Sequence, residues 1–244
     1  MYIGYNIKKI NEVMESISSA YAESTKKVKE MYETWFQPSL RQHWVGPDEQ
    51  NFEKKFVDRL NELLTNSETL ATNAIETVYS LGVAWADFQD TNTIGGESTG
   101  QGTVLKAQLL KATVTAHDPI TFTALEFTGE ENLGLTSTGS ASALASQLNA
   151  FVTNTKSAIK ALFDAVDANN AFFGEQTTKV KGFIDKVGDT LGVLATAVKD
   201  FDEAMATLTG TSYSSSDSSV STEFANSDTN LESGLEGLGA SRWN

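Results

Sequence analysis

Apolar residues recur along the first stretch of this chain in alternating steps of three and four. The series runs Ile3, Ile7, Ile10, Met14, Ile17, Tyr21, Val28, Met31 and Trp35, and Ser24 interrupts it. This is a heptad seam, the pattern of a long helix packed lengthwise on others, and it predicts a helix over residues 3–36. About 35 residues at 1.5 Å each make a rod of roughly 50 Å. Pro38 is expected to end or kink it, because proline lacks a donor and its ring clashes with the preceding turn. A second seam follows Gly46, with Phe52, Phe56, Leu60, Leu63, Leu70, Ala74, Val78, Leu81 and Trp85. Pro47 suits a first helical position, and Asp48 and Glu49 complement the positive end of the helix dipole. Two such helices with a short joint form an antiparallel αα-hairpin.

A similar pattern returns after a break. Leu144, Leu148, Phe151, Ile159, Leu162 and Val166 predict a third helix. Val180, Ile184, Val187, Leu191, Leu194, Val198, Phe201, Met205 and Leu208 predict a fourth. The joint between these two carries Phe172-Phe173-Gly174 where the first joint carries Trp44-Val45-Gly46, 128 residues earlier. Each joint has an aromatic two residues before a glycine, so the chain reads as an internal duplication. The intervening DTNTIGGESTGQG is loop-like. KATVTAHDPITFTALEF is rich in β-branched residues, with Val114 and Ala116 set to face Ile120, Phe122 and Ala124 across His117, Asp118 and Pro119, and predicts a β-hairpin. After Leu208 the serine, glycine and acidic content predicts a flexible tail that buries little. The divisions are therefore 1–89 for hairpin 1, 90–140 for the insert, 141–208 for hairpin 2 and 209–244 for the tail. The fold class is mainly α: an elongated antiparallel four-helix bundle with a small β-hairpin insert.

Composition narrows the function. With 18 basic and 32 acidic residues the formal net charge is −14, which disfavours nucleic-acid phosphates and anionic membranes as partners. Cysteine is absent, so disulfides, thiol nucleophiles and thiolate metal sites are excluded. No segment approaches the roughly 20 consecutive apolar residues of a membrane span. MYIGYNIKKINEVMES has no apolar stretch after its lysines and is not expected to be a cleavable export signal. GGESTGQGT has Gly95 and Gly100 at phosphate-loop spacing, but Gln101 stands where the lysine belongs and no helix clearly follows. His43 and His117, the two histidines, lie far apart in sequence, and no nucleophile, base and electrophile assemble around either. No enzyme activity, cofactor or metal is expected.

The joint RQHWVGPDEQNF, residues 41–52, holds more than a chain reversal needs. Gly46 permits a positive φ or a close helix approach. Trp44 can fold its ring over the hairpin end, there to cover apolar helix ends or to remain partly exposed as an anchor for a partner. Residues 2 to about 88, with a long helix, Trp44-Val45-Gly46 and an acidic-started helix bearing Phe52 and Phe56, resemble the WxG superfamily, the early-secreted-antigen-like substrates of bacterial type VII secretion. The resemblance implies helical hairpins that pair antiparallel into four-helix bundles. In this chain it implies a tandem pseudo-dimer, monomeric rather than homo-oligomeric, with Phe172 and Gly174 as the second-turn counterpart of Trp44 and Gly46. Family members often carry Tyr-x-x-x-Asp/Glu beyond the last helix, and Tyr213 and Asp217 have that spacing here. The implied function is non-enzymatic: a secreted or cell-surface substrate or structural factor, made in the cytoplasm and recognised by a type VII-like secretion ATPase or adaptor. Recognition would fall on Trp44, Gly46, Tyr213 and Asp217, with a co-secreted helical partner a further expectation. The competing reading is a self-assembling virion, filament or appendage subunit. Trp243 has no assigned role.

Overall fold

The computed structural model describes residues 6–91, 100–128 and 132–209, and they are mainly helical with one small two-stranded antiparallel sheet. Helix α1 (Ile7–Met31) opens on Asn6, whose side chain accepts a hydrogen bond from Lys9 N at 3.2 Å. A π-turn (Tyr32–Phe36) and helix α2 (Gln37–His43) continue it, strand β1 (Trp44–Val45) makes the joint, and helix α3 (Pro47–Thr91) returns. Then come the short helix α4 (Gln101–Ala107), strand β2 (Gly134–Leu135), helix α5 (Ser140–Asp167), two 3₁₀ turns (Asn170–Phe172 and Gly174–Gln176) and helix α6 (Thr177–Thr209).

Most positions of the heptad seams become the core, while Leu81, Trp85 and Ile184 are half-buried and Leu208 is exposed. Helix α1 packs on α3 and α5, while α6 packs on α3 and α5. Ile10, Met14, Ile17, Leu60, Leu63, Leu148, Ile159, Leu191 and Leu194 are all buried in one continuous apolar cluster. Ser24, the interruption in the first seam, is itself buried and donates to the carbonyl of Ala158 on α5 at 2.6 Å. A polar residue is tolerated in that seam because its hydroxyl is satisfied across the helix interface.

Pro38 neither ends nor breaks the first rod. The π-turn comes just before it, and Pro38 itself lies in the first turn of α2. A proline in a regular helix leaves the carbonyl four residues back without its donor and crowds it with the ring. The wider i→i+5 turn opens the backbone at that place. The wider turn also rotates the buried face by one position. Beyond Val28, Tyr32, Phe36, Leu40 and Trp44 are buried, whereas Met31 and Trp35 of the predicted seam lie half-buried against the cluster.

The insert departs from expectation. Residues 111–128 form no β-hairpin: they run as an extended strap without strand partners. The β pairing is made elsewhere, Trp44 opposite Leu135 and Val45 opposite Gly134. The reason lies in the strap's main chain, whose polar groups are taken by helix side chains and not by a facing strand. Asn11 Nδ2 donates to Gln108 O at 2.9 Å, Ser18 Oγ to Thr113 O at 2.8 Å and Gln50 Nε2 to Leu125 O at 2.7 Å. A helix, α4, does follow the glycine-rich loop, contrary to the sequence reading.

Candidate functional site

Helix α2 ends as Trp44 turns into extended backbone (φ −138°, ψ 128°), and its N–H still donates to Leu40 O. Gly46 follows at φ +141°, a conformation open to glycine and strained for side-chain-bearing residues. Its carbonyl accepts Gln50 N at 3.1 Å and thereby starts α3. The residues on either side of β2 close over the joint. Thr136 N donates to His43 O at 3.0 Å, and Leu133 lies against the α-carbon of Gly46. A methyl group at Gly46 would find ordinary contact distance to Leu133, 3.7 Å, so the glycine is required by φ and not by space.

The Trp44 indole points inward and is 1% exposed. Its ring meets Phe52 at 5.8 Å and the edge of Phe201 at 6.0 Å, and Phe52 and Phe201 touch each other at 5.8 Å. The aromatic column continues through Phe56, Phe36 and Phe151, each ring within 6 Å of the next. One end of the molecule is thus locked by aromatic contacts from the first rod, α3, α5 and α6. Of the two roles open to Trp44 on sequence grounds, covering apolar helix ends is the one found. The indole is not displayed, because Phe201 of α6 closes the face that an isolated hairpin would leave open.

Beside this aromatic column lies a polar cluster that sequence reasoning missed. The Glu53 carboxylate is fully buried and accepts from Tyr32 Oη at 2.7 Å, Gln37 Nε2 at 2.8 Å and Arg41 Nε at 2.8 Å. Burial opposes its charge, but these donors, Arg41 foremost, hold its pKa below the ordinary glutamate value. Glu49, one turn earlier, is also buried. Desolvation first, then hydrogen bonding and repulsion from Glu53, push its carboxyl up to about 8. Its Oε1 is buried without a hydrogen-bond partner among the described residues. Arg41 completes the arrangement by donating through Nη2 to Thr123 O of the strap at 2.7 Å. The available signal was the Glu49/Glu53 spacing of four, which puts both acids on the same side of α3 as Phe52 and Phe56.

The other expected site residues separate. Gly174 adopts a left-handed conformation (φ +53°), and a Cβ there would lie 3.4 Å from Leu81 near the far end of α3. The second joint therefore sits at the opposite end of the helices from Trp44. Phe172 is not the packing equivalent of Trp44: Phe173 is fully buried and Phe172 only partly so. Two 3₁₀ turns replace the extended joint, and this moves the inward-facing position by one residue. Tyr213, Asp217 and Trp243 lie outside the described residues. His43 Nδ1 bonds to Ser39 O at 2.9 Å, and His117 Nδ1 to Glu68 at 2.8 Å, so each histidine has its own local partner.

Each joint thus lies against the chain ends of the other helical pair: Trp44 against Phe201 of α6, Ser39 bonded to Gln147 of α5, and Gly174 against Leu81 of α3. No protein-family model matches the chain, and comparison with curated proteins and with solved structures returned no match.

Proposed function

We propose that the chain is a non-enzymatic substrate or structural factor of a type VII-like secretion system, two WxG-type hairpins fused into one four-helix bundle. The observation that carries the reading is the seating of Trp44 on Phe201, only two turns before the end of α6. With this antiparallel arrangement, the Trp-x-Gly joint and the last turns of α6, which Tyr213 and Asp217 follow in sequence, belong to the same end. A secretion ATPase or adaptor would then read one composite surface. Trp44 contributes to it as the organiser of the corner, not as an exposed label. Pro47 and Asp48, exposed next to the buried Gly46, are the groups at the joint that a partner can touch.

The test is export from a type VII-competent cell. Trp44→Phe keeps an aromatic ring in the corner, Gly46→Ala alters the joint backbone and Tyr213→Ala removes the tail signal. Circular dichroism checks the fold of each. The expected result is loss of export in Gly46→Ala and Tyr213→Ala with helical content retained, and near-normal export in Trp44→Phe. Undiminished export of all three variants would end the assignment.

A further inference from the structure

The strap that runs from Gln108 to Leu125 is held in an unusual way. Among the described residues, no backbone–backbone hydrogen bond involves residues 110–128. Side chains of the flanking helices take those main-chain groups instead. Two asparagines form clamps. Asn11 on α1 donates to Gln108 O at 2.9 Å and accepts from Leu110 N at 3.0 Å. Asn61 on α3 donates to Ile120 O at 2.9 Å and accepts from Ile120 N at 2.8 Å. Between and beyond them, Ser18, Arg41 and Gln50 each donate to a strap carbonyl.

Recognition of this kind reads backbone, and any extended chain in the same register offers the same N–H and C=O groups. The strap's side chains contribute unevenly: Ala112, Val114 and Phe122 lie half-buried against the core, and most of the others are exposed. Of residues 108–125 only Leu109 and Ile120 are buried. The seat of Leu109 exists because position 82 is glycine: a Cβ there would approach Leu109 Cδ2 to 3.0 Å. The walls of the groove add a charge preference. Lys111 of the strap pairs with Glu76 of α3, and His117 is bonded to Glu68 of α3.

We propose that the groove between α1 and α3 is a docking site for an extended peptide segment of a partner protein, and that the strap is its resident ligand in cis. The occupant is defined by chemistry: an extended stretch with two apolar anchors spaced as Leu109 and Ile120, and basic side chains opposite Glu76 and Glu68. A segment held by few buried side chains opens at lower cost than the helices beneath it, which gives the partner access. The tether works against the partner, because a covalently linked strap competes at high effective concentration. The proposal stands independently of export.

The probe is a fluorescein-labelled synthetic peptide, QLLKATVTAHDPITFTAL, carrying the sequence of residues 108–125. Fluorescence anisotropy would compare its binding to the full chain and to the full-length double variant Leu109→Ser/Ile120→Ser, whose own strap is weakened. The expected result is binding at least about ten-fold tighter to the double variant, reflecting relief of the competing tether. Adding Asn61→Ala to that variant should lose the gain. A double variant that stays helical by circular dichroism and gains no affinity overturns the proposal. Self-association of the double variant without peptide assigns the groove to a second copy and overturns it equally. Hydrogen exchange on the unaltered protein decides the matter if the double variant fails to fold. The amides of Leu110, His117 and Ile120 should exchange through local opening, faster than those of α1 and α3. Exchange of these amides only on global unfolding would show a permanent part of the core.

Discussion

Glu49 is the residue whose chemistry differs most from what its position in the chain implies. As an acid in the first turn of α3 it complements the helix dipole, yet its carboxyl is buried beside a second carboxylate. Its ordinary pKa of 4.5 is pushed up to about 8, so over the interval between them the folded state holds a proton that the unfolded chain has released. Stability supplied by this group is fully present below the unfolded value and is lost as pH rises through about 8. Glu53 acts in the opposite sense. Its pKa is lowered, so its contribution is present above the unfolded value and disappears as pH falls through the folded one. Glu49→Gln keeps the hydrogen bond to Glu53 and removes the titration. It should therefore stabilise the protein on the alkaline side, by on the order of 1–2 kcal/mol at pH 9, and leave pH 5 nearly unchanged. Urea unfolding of the two proteins at pH 5, 7 and 9 measures this, and parallel pH profiles would contradict it.

At the scale of elements, the regular helices follow from their seams, whereas the joints and connections follow from contacts between distant parts of the chain. Helices α3, α5 and α6 begin and end close to where periodicity, Pro47 and the flanking glycines put them. The π-turn was not legible, because the seam Met31–Trp35 and the observed face Tyr32–Phe36 differ by one position that both patterns permit. The aromatic neighbours Phe56 and Phe151 select between them. The insert was misread as a hairpin because β-branched alternation describes any extended chain that alternates between a surface and water. Helix α4 provides a sharp test of such a connection. Gly102 is buried on α3, its N–H donates to Asp90 Oδ1 at 2.8 Å, and a Cβ there would come within 2.4 Å of Ala86 O. Gly102→Ala should therefore detach α4 and loosen the strap's first clamp at Asn11, while α1 and α3 stay formed. Hydrogen exchange resolved along the chain should show protection lost over residues 101–110 and retained over 10–28. Unchanged protection throughout would refute the close approach.

For the molecule as a whole, the decisive feature is that the two helical pairs cover each other. The seams of α1 and α3 find theirs in α5 and α6 of the same chain, so the heptad surfaces that would drive self-association are already occupied. The chain should sediment as a monomer of 26.3 kDa over a wide concentration range. Filaments or large rings in sedimentation or electron microscopy would favour the assembly-subunit reading instead. The same covering explains the candidate site. W-x-G and the flanking helices marked the joint in the sequence, but whether the Trp44 ring is displayed or sealed depends on Phe201, 157 positions later. Arg41, Tyr32 and Gln37 were unremarkable in sequence, since their shared partner Glu53 is defined only once the π-turn and α2 have folded onto α3.

Local chemistry thus determined the long helices: their apolar period, Pro47 and the charges of the first turn of α3 act over a few residues, whereas α4 and the π-turn before Pro38 were not legible there. The tertiary structure alone decided the rest. It set the direction in which Trp44 faces, the protonation of Glu49, the one-residue rotation at the π-turn and the path of the strap. Each of these depends on burial or on a hydrogen-bond partner supplied by a remote segment. Desolvation and backbone satisfaction are properties of the assembled chain and have no counterpart in any short window of its sequence.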